Sequence, residues 1–302
     1  MFISQLLAIT TLGLVSLQAT EAKVINQCTQ RGMYAMTWDD GPAQYTSQLL
    51  DTLNAKKVKA TFHVTTSYLT DPSIQAMIQR ISGAGHLIGL RTESHWDLFK
   101  MSDEQIKAGV ARQANVLSSF IGYFPKFIRV PYNGYDQRVL SAIESTGLIV
   151  TTHNLETYDY EDAGRTLNAV KLALSLVGKG QGSFISVQHD GVQQSVGIAG
   201  KVIDQIQASG YKLVKLDECL GLGDMTKNKE PLKGADDSVD LGPLDAGAGA
   251  PVPGAGMGPG AGSPMGPHDD LQGQTKNGAA ASFGSSMVMA VLAAGLAALW
   301  QF

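Results

Sequence analysis

Between residues 33 and 216, short apolar runs alternate with longer stretches in which apolar positions recur every three or four residues. The runs predict strands at 33–38, 60–64, 87–90, 127–130, 148–152, 184–188 and 212–216. The helical periodicity is clearest at 45–55, 73–82, 103–119, 138–145 and 167–177. Strands separated by helical crossovers argue for a parallel sheet, and seven such units suggest a closed or nearly closed barrel. In that architecture the C-terminal ends of the strands build the site. The polar clusters of this chain fall at those ends.

The two ends of the chain depart from this pattern. Residues 2–17 are apolar and helix-compatible but short for a membrane span, and small residues follow at Ala19 and Ala22. This reads as a cleaved secretory signal over 1–22. A buried first helix is the alternative, favoured by the absence of a lysine ahead of the apolar run. At the other end, residues 287–300 form the uncharged tail MVMAVLAAGLAALW, preceded by a spacer at 280–286 and by Asn277, Gly278 and Ala279. Small residues, spacer and apolar tail form the signal by which a glycosylphosphatidylinositol (GPI) anchor replaces the tail. The expected attachment residue is Asn277, with Gly278 next, and 278–302 would be the propeptide. The alternative, a retained C-terminal span, lacks the basic flank such spans carry.

Composition completes the layout. From 224 to 277 the chain turns to Gly, Pro, Ala and Asp, too poor in apolar side chains to offset the entropy of ordering, so a flexible tether is expected there. Residues 23–223 remain as one α/β domain. A net charge of −4, with no cluster of lysine and arginine, excludes nucleic acid as a partner. The two cysteines, Cys28 and Cys219, stand just inside the domain's edges and in a secreted chain should pair. Closing so long a loop contributes on the order of 4 kcal/mol in the chain-entropy model.

The first strand ends in Thr37-Trp38-Asp39-Asp40-Gly41-Pro42. Adjacent carboxylates at a strand end can point one acid at a metal and leave the other as a base, although the same tetrapeptide also suits a turn with a helix cap. The third strand and the turn after it carry Gly85-His86 and Arg91-Thr92-Glu93-Ser94-His95-Trp96-Asp97. Arg129-Val130-Pro131-Tyr132, Glu156-Thr157-Tyr158-Asp159-Tyr160 and Val187-Gln188-His189 follow in order. With these motifs the chain resembles the polysaccharide deacetylases, the NodB-like carbohydrate esterases that include fungal GPI-anchored chitin deacetylases. The resemblance spans about 32–223.

That resemblance implies a distorted (β/α) barrel of about seven parallel strands. It also implies hydrolysis of the acetamido groups of N-acetylglucosamine units in chitin, giving chitosan and acetate, at the cell surface or wall. Asp39 matches the general base, Asp40 and His95 two ligands of a divalent ion such as zinc or cobalt, and Arg129 the arginine that orients the base. The backbone amide of Tyr132 matches the oxyanion donor. His189 matches the general acid, with a satisfied core histidine as its alternative, and Asp159 a carboxylate tuning Arg129 or His189. Val187 stands at the acetyl-pocket leucine, and Tyr160 replaces a tryptophan that walls the sugar site. The chemistry agrees: an ion acidifies a water, a carboxylate takes its proton and a histidine protonates the departing amine.

Arg91 is the departure. It occupies the position of the first ligand histidine, and a guanidinium has no lone pair to give. Asp40 and His95 alone fall short of the three protein ligands usual in a catalytic zinc site. Glu93 and Asp97 are carboxylates toward which Arg91 could turn outward; His86 and His153 are the nearest alternative imidazoles. Two readings therefore stand: a metal-dependent chitin N-deacetylase, and a catalytically weak or inactive relative whose groove binds glycans.

Overall fold

The computed structural model describes residues 22–93 and 96–241. The expected tether beyond 241, Asn277, the tail, residues 1–21 of the expected leader, and His95 lie outside the described residues.

The chain alternates strand and helix: β1 (Met33–Gly41), α1 (Thr46–Ala55), β2 (Thr61–Val64), α2 (Pro72–Gly83), β3 (Leu87–Arg91), α3 (Asp103–Ile121) and β4 (Phe127–Arg129). Then follow α4 (Gln137–Ser145), β5 (Ile149–Val150), β6 (Leu155–Glu156), α5 (Ala163–Val177), β7 (Phe184–His189), α6 (Gln193–Ala208), β8 (Lys212–Val214) and α7 (Leu216–Cys219). The sheet runs β5-β4-β3-β2-β1-β7-β6, all parallel, with β8 paired to the first residues of β1. It is a curled half-barrel of parallel strands, seven in one row with β8 beside β1, where the alternation predicts seven including β8. The sequence reading lacked β6, two residues inside a polar motif.

Local chemistry sets the element ends. Ser102 and Gln105 form a capping box at the start of α3, Asp103 and Glu104 complement the helix dipole, and Gly122 at φ 77° closes the other end. Asp71, Asp136 and Asp162 cap α2, α4 and α5. The central strands β1 to β3 are buried almost throughout, which is why they read as apolar runs rather than alternating ones.

Cys28 and Cys219 are bonded, with Cα atoms 4.7 Å apart across 191 residues of sequence, so the bridge ties the segment before β1 to α7. The chain from 224 to 241 runs along the domain. Leu232 and Leu241 are buried, the Lys233 N–H donates to the Thr146 carbonyl at 2.9 Å, and Arg112 donates to the carbonyls of Asp236 and Val239.

Candidate active site

The sheet register assembles the site. Asp39 on β1 lies level with His63 on β2 and with His189 on β7, and Arg91 on β3 lies level with Arg129 on β4. Consecutive strand residues normally point to opposite faces. Here the β1–β2 register slips between Asp39 and Gly41, leaving Asp40 as the extra residue of a bulge at φ 66°. The bulge turns the Asp40 side chain so that both adjacent carboxylates meet one guanidinium. Gly41 allows the turn, because a Cβ there would fall 2.2 Å from the carboxylate oxygens of Asp190.

Asp39 is buried and every contact on it comes from a strong donor. Its Oδ1 accepts from Arg129 at 2.9 Å and from His63 Nδ1 at 2.9 Å, and its Oδ2 accepts from Arg91 at 2.8 Å. Burial would raise its proton affinity, but Arg129, Arg91 and His63 outweigh that and hold the carboxyl well below the usual carboxylate range. Thr37 steadies the same corner by donating to the Ser186 carbonyl while accepting from Arg129 at 2.7 Å. Arg129 also donates to the Thr152 carbonyl, so its plane is held from three sides.

His63 is fully buried. Burial and the nearby Arg129 lower its pKa to about 4, which keeps the ring neutral, with the Nδ1 proton on the Asp39 side. Its ring packs over Gly89, where a Cβ would meet His63 Cδ2 at 3.0 Å. The sequence reading passed over His63 because it lies inside a buried strand; its only signal there was a polar residue in an apolar run.

His189 faces this cluster across the pocket. Its Nδ1 donates to Asp159 at 3.0 Å and its backbone N–H donates to the other Asp159 oxygen at 2.6 Å. Burial alone would lower its pKa, yet the hydrogen bond and charge of buried Asp159 raise it to about 9, so the ring is an imidazolium at neutral pH. Of the two partners the sequence left open for Asp159, the hydrogen bonds select His189. The other ring nitrogen of His189 points at Asp40, 3.8 Å away. A protonated ring at this place can give a proton to a departing amine.

The remaining expected residues line the rim or its support. Tyr160 is half-exposed with its ring 6.4 Å from that of His189. Tyr132 lies just past β4 in a left-handed turn at φ 55°, followed by Asn133 at φ 52°, and its side chain is exposed. Val187 is buried two residues before His189, level with Thr37. A cleft of about 260 Å³ opens beside the site, lined by Thr92, Glu93, Trp96, Phe99, Val130 and Tyr132 among others. Sequence reasoning also assigned no role to Asp190. It is buried, accepts a hydrogen bond from Thr46 at 2.6 Å, and burial pushes its carboxyl up to about 7.

Arg91 turns inward. Only 8% exposed, it donates to Asp39 and grips both oxygens of Asp40, one through Nε and one through the terminal nitrogen at 3.3 Å. The outward partners are engaged elsewhere: Glu93 accepts from Thr66, Ser67 and Gln113, and Asp97 pairs with Lys100. His86 accepts the Ala60 N–H and His153 pairs with Glu156, so neither supplies the missing ligand.

The described side chains do not fit the divalent ion implied by the resemblance: among them no group of three histidine, cysteine, aspartate or glutamate residues could hold a metal, and His95 lies outside them. The oxygens Asp40 would offer are held by a permanent cation. A dication about 4 Å from that guanidinium would be repelled by roughly 8 kcal/mol at an effective dielectric near 20.

Comparison with known proteins places the chain. The family model described as polysaccharide deacetylase matches residues 26–151. A chitin deacetylase from Colletotrichum lindemuthianum is 34% identical over 205 residues, covering 65% of this chain and 83% of that protein. A chitin deacetylase from Pestalotiopsis sp is 32% identical over 200 residues, covering 66% of this chain and 67% of that one. Both are named for the removal of acetyl groups from chitin. The solved structure of the chitin deacetylase from Colletotrichum lindemuthianum matches with a TM-score of 0.64 at 31% identity, covering 73% of this chain and 99% of that one. With its half-barrel, its ordered motifs and these relatives, the chain belongs to the polysaccharide deacetylase family.

Proposed function

We propose that this protein acts on N-acetylglucosamine polymers of the chitin class, removing N-acetyl groups to give chitosan and acetate. What carries the reading is one rung of the sheet on which a carboxylate and an imidazolium face each other, Asp39 held by Arg129 and His189 held by Asp159. In this reading Asp39 is the base, His189 the acid, and Arg129 and Asp159 position them. The Tyr132 amide serves the developing oxyanion, Val187 backs the acetyl group and Tyr160 offers a wall on which a sugar ring stacks. Zinc or cobalt has no place in it, for the reason given by Arg91.

The secretory and anchor signals complete the proposal: a protein held at the cell membrane or wall through Asn277. Release into the soluble fraction by a phosphatidylinositol-specific phospholipase is the expected outcome; retention in the membrane fraction speaks for a C-terminal span.

A second reading, a glycan-binding protein with little turnover, is favoured by the grip of Arg91 on Asp39 and Asp40. Acetate release from chitin oligomers by the purified protein, measured beside binding of the same oligomers, separates the two. Release supports the first reading, binding without release supports the second, and neither supports any role on this polymer.

A further inference from the structure

The polysaccharide deacetylase family is metal-dependent as a class. We infer that this chain is an exception in which the Arg91 guanidinium is the resident cation, so that its groove takes an N-acetylated oligosaccharide without any divalent metal. The charge cluster is the first ground. Arg91 contacts both Asp39 and Asp40, and Arg129 contacts Asp39 as well. A divalent ion at Asp40 would stand against that guanidinium unless Arg91 first withdrew.

Withdrawal would separate Arg91 from both aspartates. Arg91 lies level with Arg129 on adjacent strands, and the two like charges tolerate each other because Asp39 sits between them, accepting from both. Outward, Glu93 already accepts four hydrogen bonds and is itself buried. The bulge at Asp40 brings its carboxylate against the guanidinium, one oxygen accepting from the terminal nitrogen at 3.3 Å and the other in ion contact with Nε. The arginine thus neutralises Asp40 from within the fold, at a fixed distance and at every physiological pH. Its cationic state is secure, because Asp39 and Asp40 offset the cost of its burial.

The nature of the oligosaccharide rests on the function proposed above; the ion cluster does not. The experiment therefore has two arms. In the first, the full-length protein is dialysed against zinc or cobalt and the bound ion counted by atomic absorption. Fewer than about one-tenth of an ion per chain is expected, and about one ion per chain overturns the inference. In the same assay Arg91→His, checked for fold by circular dichroism, should bind either metal at least roughly tenfold more tightly, since a repulsive charge is replaced by a ligand. An unchanged affinity in a folded variant also overturns it.

In the second arm, calorimetry follows chitin hexamer binding to the wild type with and without a chelator. An unchanged Kd supports metal-free recognition, and a tenfold or greater weakening by the chelator overturns it. Absence of hexamer binding under both conditions, beside a low ion count, sinks the chitin reading while the ion count upholds the inference about Arg91.

Discussion

Neutralising Asp159 removes the strongest of the groups that hold His189 as an imidazolium, with Asp39 and Asp40 adding smaller effects. Asp159 is fully buried and its carboxylate accepts from His189 twice, through the ring and through the backbone N–H. The substitution Asp159→Asn keeps the size and one acceptor but removes the largest of the charges that raise His189 from 6.5 to about 9. At pH 8 the protonated fraction of His189 should then fall from about nine-tenths to a few hundredths, taking its reference pKa near 6.5 for the variant. Each tenfold change in proton affinity is worth about 1.4 kcal/mol, so the whole shift corresponds to up to about 3 kcal/mol of stability, the largest share of it from Asp159.

The sign follows from the direction of the shift. A histidine whose folded pKa is raised contributes fully below 6.5, and the contribution is lost as pH rises through about 9. Wild-type stability should therefore decline between about pH 7 and 10, and the variant should lack that part of the decline. The assay is an NMR titration of the His189 ring, assigned by its disappearance in His189→Gln, beside urea unfolding at pH 6, 8 and 10. Wild-type His189 titrating near or below 6.5, or an unmoved titration in Asp159→Asn, would refute the reasoning.

Three further perturbations test the rest of the framework. Asp39→Asn leaves Arg91 and Arg129 buried around a neutral amide; chemical denaturation should show a loss of about 3–5 kcal/mol. If Asp39 is the base, acetate release should fall at least about a hundredfold, and a near-normal rate would remove it from that role. Gly41→Ala drives a methyl into the Asp190 carboxylate and should cost about 1–3 kcal/mol by thermal or urea melting; a variant as stable as wild type would show that the strand end yields freely. The double substitution of Cys28 and Cys219 by serine should cost on the order of 4 kcal/mol, read as a lower urea midpoint with an intact native spectrum.

Much of this arrangement was legible in the sequence. Buried parallel strands announce themselves as apolar runs, so β1 to β5, β7 and β8 were visible, and α1 to α5 carried their own periodicity. β6 was not, because two residues held by pairing with β7 leave no pattern of their own. Asp39, Asp40, Arg129, Asp159 and His189 stood out as polar residues at strand ends, and the sheet brings them together. His63 was invisible for the opposite reason. It sits within a strand, and only the β1–β2 register sets its ring against Asp39.

Arg91 marks where sequence reasoning reaches its limit. Its identity alone says that a ligand is missing; its direction depends on groups far away in sequence. Thr66, Ser67 and Gln113 occupy Glu93, and the Asp40 bulge turns a second carboxylate inward, so the guanidinium finds its partners in the pocket. The backbone of β3 pairs with β2 and β4 whatever side chain stands there. A chain can therefore keep the fold, the register and about a third of the residues of its relatives while one strand-end side chain changes the charge of the centre. Hydrophobic pattern specifies the half-barrel, but the chemistry at its mouth is set by which cation the two aspartates hold, and here the chain supplies that cation itself.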